Sequence, residues 1–101
     1  MSTTSWQQIQ AARIVVPDHV VIRPFAREAV ALNIRTGHYH GLDAIGRRFL
    51  EVMRETPNIA AASATLAEIY SQPAERIETD ITAFVEQMIG HGLIELVGTA
   101  G

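Results

Sequence analysis

The chain has 101 residues, 48% of them hydrophobic, which suffices for one compact core and is too few for two domains of ordinary size. It contains no cysteine, so disulfide bonds, thiolate metal sites and a cysteine nucleophile are excluded. The net charge of −3 is unevenly distributed: seven arginines face four acids before residue 55, whereas seven acids face Arg76 alone from residue 55 onward. The first half is therefore mildly basic and the second half acidic.

The first twelve residues carry Ser, Thr and Gln around a lone Trp6 and show no sustained hydrophobic period. We expect residues 1–12 to form a flexible arm, residues 13–97 a single domain and residues 98–101 a tail. From its first residues we expect no signal peptide, and no run approaches the roughly 20 apolar residues that would span a membrane. The expectation is a cytoplasmic protein without a membrane partner.

Two short β-branched runs open the predicted domain, and each is followed by a proline. Residues 13–16 are stopped by Pro17, and residues 20–22 are stopped at Pro24. Such runs with turn residues between them indicate short strands.

A hairpin follows these runs. Alternation predicts a strand over residues 30–34 with three side chains on its buried face, Val30, Leu32 and Ile34. Gly37 can take the positive φ of a tight turn, and residues 38–42 form the returning strand. Because this strand ends the sheet, its outer edge leaves backbone N–H and C=O groups unpaired.

Three helices are predicted after the hairpin. Asp43 is a good N-cap for the first, whose apolar face runs to about Glu55 and comprises Ile45, Phe49, Val52 and Met53. The second shows the same spacing in Ala62, Leu66, Ile69 and Tyr70. Pro73 suits the first turn of the third, whose apolar stripe ends at Gly90 and Gly92 and comprises Ile77, Ile81, Phe84, Val85, Met88 and Ile89. Residues 93–97 form a short closing strand.

This order of elements predicts an α+β fold that is winged helix-turn-helix-like, with a small antiparallel three-stranded sheet followed by three helices. A winged helix protein that binds DNA needs arginines or lysines on its third helix. Here Arg76 stands against four acids, Glu75, Glu78, Asp80 and Glu86. Nucleic acid is therefore not predicted as a partner.

Histidines are the only candidates for a metal site. His38 and His40 share one face of a strand, and His19 lies on a neighbouring one. No acidic or cysteine residue is spaced to complete a tetrahedral set, so we predict neither a metal nor another cofactor. The sequence also lacks a Gly-x-Ser-x-Gly elbow and a phosphate-binding glycine loop, and we predict that the protein is not an enzyme.

The unpaired edge and the third helix together suggest a groove for an extended peptide, which would add to the sheet as a further strand. Helical projection assigns Ile81, Val85 and Ile89 to the core, and it places Asp80, Phe84 and Gln87 on the flank beside the strand. Periodicity alone leaves open whether Phe84 and Met88 belong to the groove or the core. The candidate peptide-binding residues are His38, Tyr39, His40, Gly41, Leu42, Ile77, Asp80, Ile81, Phe84, Gln87 and Met88.

Two long segments, AVALNIRTGHYHGLDAIGRRFLEVM and AEIYSQPAERIETDITAFVEQMIGHGLIEL, resemble the PqqD-like family of precursor-peptide recognition domains. The matching features are the apolar strand with its Thr-Gly turn, then Tyr39, Leu42, Asp43, Gly46, Asp80, Ile81, Phe84, Gly92 and Leu93. The resemblance covers residues 18–97. His40 and Gln72 depart from the residues usual in the family.

The resemblance implies a non-catalytic domain that binds the leader of a ribosomally made precursor peptide beside its third strand and third helix. The stand-alone form looks most like the discrete leader-binding proteins of lasso peptide biosynthesis. Those proteins work with a transglutaminase-like cysteine protease that removes the leader, and the leaders commonly offer a Tyr-x-x-Pro element. The alternatives are a chaperone for a radical SAM maturation enzyme and a winged-helix DNA-binding regulator.

Overall fold

A computed structural model describes residues 4–98, in which four consecutive short strands are followed by three consecutive helices, with a short helix before them and a short strand after them. In chain order the elements are α1 (Trp6–Ile9), β1 (Arg13–Val15), β2 (Val20–Phe25), β3 (Glu28–Asn33), β4 (His38–Leu42), α2 (Ala44–Glu55), α3 (Ile59–Tyr70), α4 (Ala74–Gly90) and β5 (Glu95–Val97). No helix within this part of the chain is long and apolar enough to cross a membrane.

Two antiparallel sheets form the β part of the molecule. The larger has the order β2-β3-β4, and the smaller pairs β1 with β5. The three-stranded sheet followed by α2, α3 and α4 confirms the predicted α+β, winged-helix-like class. Gly37, with a φ of 76°, occupies the turn between β3 and β4, as the sequence indicates.

Strand β2 continues past Pro24, the residue at which the sequence pattern predicts its end. Pro24 pairs with Ala29 of β3, and the strand reaches Phe25. Hydrogen-bonded and non-hydrogen-bonded pairs alternate in antiparallel sheets. A proline at a non-hydrogen-bonded position of an edge strand costs no ladder bond, so it does not stop the strand.

The buried face of β3 is the opposite of the predicted one. Ala29, Ala31 and Asn33 are buried, whereas Ile34 is 58% exposed and Val30 and Leu32 are only half-buried. In an alternating strand either the odd-numbered or the even-numbered residues can face the core, and on β3 the larger side chains indicate the face that is not buried. Small alanines face the helices here.

Asn33 is buried because its side chain holds the β3–β4 turn and the end of α4 together. Its Oδ1 accepts hydrogen bonds from the N–H of Arg35 at 3.0 Å and of Thr36 at 3.4 Å. Its Nδ2 donates to the carbonyl oxygen of Gly92 at 3.4 Å. Gly92 has a φ of 70°, and a Cβ there would lie 3.1 Å from the Asn33 amide nitrogen.

Replacing Asn33 with alanine is expected to lower the free energy of unfolding by about 2 kcal/mol, since the hydrogen bonds to the backbone of Arg35, Thr36 and Gly92 are lost. For a domain of this size that corresponds to a fall in Tm of roughly 10 °C. Thermal denaturation followed by circular dichroism measures the change. Ile34→Ala, at the exposed neighbouring position, is the control and should change the stability by no more than about 0.5 kcal/mol. Equal effects of the two variants would contradict a structural role for the amide.

Side-chain caps mark the starts of α2 and α3. Asp43 accepts a hydrogen bond from the N–H of Gly46 at 2.7 Å, which confirms it as the N-cap of α2, and Asn58 accepts one from Ala61 at 2.8 Å. Pro73 lies at the N-cap position of α4. These three residues set where each helix starts.

The buried stripe of α4 comprises Ile77, Ile81, Val85 and Met88. Ile89, which helical projection assigns to the core, is 40% exposed. From Ile77 to Ile81 to Val85 the buried positions are four residues apart, and each such step turns the stripe by about 40° around the helix axis. The step of three residues from Val85 to Met88 turns it back toward the core. Met88 therefore takes the core position predicted for Ile89.

Residues 4–12 do not form the loose arm predicted for residues 1–12. Ile9 and Ala12 are buried, and Trp6 packs against the core. The carbonyl oxygens of Ala12 and Gln10 accept hydrogen bonds from the start of α3. A helix of four residues is too short to show a period in the sequence. Residues 1–3, and the predicted tail apart from Gly98, lie outside the described residues.

Candidate functional site

Strand β4 is one edge of the larger sheet, and its register shows which of its backbone groups are unpaired. The N–H of Ile34 donates a hydrogen bond to the carbonyl oxygen of His19, on the side of β2. The carbonyl oxygen of the preceding residue, Asn33, accepts a hydrogen bond from the N–H of Gly37, on the side of β4. By alternation, Ala29, Ala31 and Asn33 turn their N–H and C=O groups toward β4. Their partners are Leu42, His40 and His38. Tyr39 and Gly41 therefore direct their own N–H and C=O groups away from the sheet.

The other edge, on β2, is less suited to receive a strand. The same alternation turns the backbone of Pro24 outward, and proline has no N–H to donate. On β4 the outward positions belong to Tyr39 and Gly41, both exposed. A Cβ on Gly41 would have no atom within 4 Å, so the backbone there is open to a ligand.

Beside this edge, β4, α2 and α4 enclose a cavity of about 430 Å³. Its walls come from the end of β4 and the cap of α2, from the first turns of α2 and from one flank of α4. The lining residues are Gly41, Leu42, Asp43, Ile45, Gly46, Phe49, Asp80, Ala83, Phe84 and Gln87.

Phe84 is held in this wall by aromatic packing and by a close approach of α4 to α2. Its ring lies edge-on to Phe49, with 5.8 Å between the centroids. A Cβ on Gly46 would lie 3.4 Å from the Phe84 ring and 3.3 Å from the Asp43 carboxylate. Gly46 thus leaves room for both the ring and the cap.

A smaller cavity of about 120 Å³ continues the first toward the start of β4 and the end of α4. The two cavities share Gly41, Leu42, Phe84 and Gln87. We call the joined space the β4–α4 groove. The smaller cavity adds His40, Met88, His91 and Leu93.

His40 and His91 stack at this end of the groove, with ring centroids 3.9 Å apart and planes 29° from parallel. Partial burial lowers the pKa of His40, and the nearby imidazoles of His91 and His38 lower that pKa further. Within residues 4–98, no three His, Cys, Asp or Glu side chains are grouped so that they could hold a metal ion.

A cavity of about 440 Å³ at the β2–β3 turn is similar in size, and two of its lining side chains, Arg47 and Glu51, are engaged in structural contacts. Arg47 donates hydrogen bonds to the carbonyl oxygens of Ala26 and Glu28, and it pairs with Glu51 at 3.2 Å. These contacts fasten the turn to α2. The unpaired strand edge makes the β4–α4 groove the stronger candidate.

The family model for coenzyme PQQ synthesis protein D (PqqD) matches residues 28–94, about two thirds of the chain. The chain belongs to the PqqD family.

Two solved structures share the fold of this PqqD family member. "TbiB1 in complex with the TbiA(beta) leader peptide" is 29% identical, with a TM-score of 0.74 over 85% of this chain and 98% of that one. "Lasso peptide synthetase B1 complexed with the leader peptide" is 19% identical, with a TM-score of 0.76 over 83% of this chain and 99% of that one. No curated protein matches the chain.

The structure brings together seven of the eleven predicted site residues of this PqqD family member. The larger cavity contains Gly41, Leu42, Asp80, Phe84 and Gln87, and the smaller one adds His40 and Met88. His38 and Tyr39 lie on β4 but line neither cavity. Ile77 and Ile81 are 3% and 0% exposed and belong to the core instead, because they face inward on α4.

Seven groove residues are missing from the predicted site: Asp43, Ile45, Gly46, Phe49, Ala83, His91 and Leu93. The sequence pattern assigns Ile45 and Phe49 to the core, yet Ile45 is 56% exposed. Ala83 and His91 extend the flank that carries Asp80 and Gln87, since positions i, i+3, i+7 and i+11 share one helix face. That spacing is a signal in the sequence from which both could have been found.

Proposed function

We propose that this chain binds the leader segment of a ribosomally made precursor peptide in the β4–α4 groove and presents it to a separate maturation enzyme. The observation that carries the proposal is the open edge of β4 beside the groove. Two outward residues, Tyr39 and Gly41, offer four unpaired main-chain groups to an extended peptide. The leader complexes of the two structural neighbours support the same choice of ligand.

Main-chain pairing gives affinity to a peptide of any sequence, so the groove side chains must supply the selectivity. Phe84, Phe49 and Leu42 form an apolar floor for side chains of the added strand. Asp80 and Gln87 stand at the rim of that floor, where both are exposed. A leader with apolar residues on one face of its strand fits this surface.

The chain acts by presentation rather than by catalysis. Holding the leader fixes the rest of the precursor near whichever enzyme binds this domain, which raises its effective concentration there. The partner is a transglutaminase-like cysteine peptidase that cleaves the leader. The cleavage chemistry belongs to that partner.

The leader encoded beside this gene is the probe that tests the proposal. A fluorescently labelled synthetic leader is expected to give saturable anisotropy binding, and a scrambled peptide of the same composition should not bind. Duplex DNA at low salt is a second control, and it should not bind because the exposed flank of α4 is acidic. Absence of saturable binding to every neighbouring precursor would contradict the proposal.

Leader binding is also expected to stabilise the fold. At a free leader concentration of about 100 times Kd, mass action adds about 2.7 kcal/mol to the free energy of unfolding. That increment corresponds to a rise in Tm of at least about 10 °C for a chain of this length. Thermal denaturation with and without the leader measures it, and an unchanged Tm at saturation would contradict binding to the folded state.

A further inference from the structure

We propose that His40 and His91 form a subsite for a carboxylate side chain, so that the groove selects a leader with an Asp or Glu at this end. The inference rests on the proposed leader-binding function and goes beyond it, because it names a chemical group that the leader must carry. The two rings come from opposite walls of the groove, His40 from β4 and His91 from the end of α4.

The ring nitrogens of both histidines are available to a ligand. Neither His40 nor His91 makes a side-chain hydrogen bond to any other group in residues 4–98. No buried side-chain nitrogen or oxygen lacks a partner in that part of the chain, so the unpaired ring nitrogens of His40 remain in contact with solvent, and His91 is itself exposed. Ring N–H bonds lie in the ring planes, and stacked rings therefore cannot satisfy each other.

The surroundings of the pair favour an anion over a cation. No other charged or titratable side chain lines the smaller cavity, where Gln87 is the remaining polar group. His38, two residues earlier on β4, faces the pair from the same strand and is a third imidazole. The neighbouring strand β3 places the uncharged Ala31 opposite His40. A carboxylate can accept a hydrogen bond from each ring, and it favours the protonated form of an imidazole beside it.

The opposite end of the groove has the reverse preference, because Asp43 and Asp80 line the larger cavity. A strand can add to an edge in either direction. The groove has carboxylates at one end and imidazoles at the other. A leader with an acidic residue therefore binds more favourably in the strand direction that places this residue beside the imidazoles. The carboxylate subsite therefore also fixes the direction of the bound leader.

Binding of a carboxylate should be coupled to proton uptake. In the free protein the lowered pKa of His40 leaves this imidazole neutral near pH 7. A carboxylate beside the rings raises their proton affinity, so an acidic leader binds more tightly at about pH 6 than at about pH 8. If the bound carboxylate raises the proton affinity of one imidazole about tenfold, protonation of that imidazole strengthens leader binding about tenfold.

The experiment uses the leader that binds in the anisotropy assay and derivatives in which each Asp or Glu is replaced singly by Asn or Gln. With the wild-type chain, one replacement is expected to weaken binding about tenfold at about pH 6 and much less at about pH 8. With His91→Gln that replacement should weaken binding much less than tenfold at about pH 6, because one of the two imidazoles that hold the carboxylate is gone. His91 is exposed, so the variant should fold. His19→Gln is the matched control, since His19 lines neither cavity and should leave the tenfold effect intact.

Three outcomes would overturn the inference while leaving leader binding in place. In the first, no replacement of an Asp or Glu in the leader weakens binding to the wild-type chain. In the second, the same replacement weakens binding equally in the wild-type chain and in His91→Gln. The third is an effect that a chelator abolishes, which would indicate a metal ion between the rings and the leader. A wild-type chain that binds no leader at all would contradict the proposed function itself.

Discussion

Replacing Tyr39 with proline is expected to weaken leader binding by about 100-fold and to leave the domain folded. The N–H of Tyr39 points away from β3, so its loss removes no bond from the sheet. Proline is tolerated on an edge strand at such a position. The bound leader, by contrast, loses a main-chain donor and keeps a carbonyl with no partner, which costs about 1–3 kcal/mol. The upper part of that range corresponds to about 100-fold.

Tyr39→Ala is the matched control for the tyrosine side chain. That side chain is 72% exposed and points to the face of the sheet opposite His40, away from the β4–α4 groove. Alanine keeps the N–H, so leader affinity should change by no more than about threefold. His40→Pro is the reverse control, since its N–H faces β3 and its loss should destabilise the fold. If Tyr39→Ala and Tyr39→Pro weakened leader binding equally, strand addition at this edge would be wrong.

The sequence predicts this edge because the signals that define it are local. Gly37 marks the turn, Asp43 caps the next helix, and the segment between them has the length of one strand. The order of strands and helices, and with it the class of the fold, follows from signals of the same kind. Local chemistry therefore gives the position of β4 between turn and cap.

The sequence does not predict which face of a strand is buried when both phases of the alternation carry apolar residues. On β3, Val30 and Leu32 look like core, but the space beside the helices accepts only Ala29 and Ala31. Asn33 is buried for its hydrogen bonds to the turn and to Gly92, contacts that span 59 residues in the second case. A hydrogen bond between residues this far apart in the chain produces no repeating pattern in the sequence from which it could be predicted.

The same limit applies to the groove. A wide apolar stripe on α4 contains both core and groove side chains, and helical spacing does not say how much of the stripe neighbouring elements cover. Ile77 and Ile81 are predicted in the site and belong to the core, whereas Ile45 is predicted in the core and lines the groove. Tertiary packing makes these assignments, because it decides which flank of each helix meets another element.

Phe84→Ala is expected to weaken leader binding by about 30-fold. Phe84 lines both cavities of the groove, and its ring is held edge-on against Phe49, so it offers a fixed apolar surface to the leader. Aromatic side chains at the centre of a binding surface commonly cost about 2 kcal/mol or more when truncated, which corresponds to about 30-fold. Anisotropy titration with the labelled leader measures the change.

Truncation of Phe84 also removes packing, and the two effects must be separated. The ring is half-buried, so the loss of stability should be about half of the roughly 3–5 kcal/mol seen for a buried phenylalanine, or about 2 kcal/mol. Ile89→Ala is the matched control on α4, because Ile89 is 40% exposed and lines neither cavity. Phe84→Leu restores apolar volume and should recover much of the stability but less of the affinity, since leucine cannot present an aromatic face. If Phe84→Ala bound the leader as tightly as Ile89→Ala at a temperature where both are folded, Phe84 would be a core residue only. The leader would then bind to the edge of β4 without contacting the flank of α4 that carries Phe84.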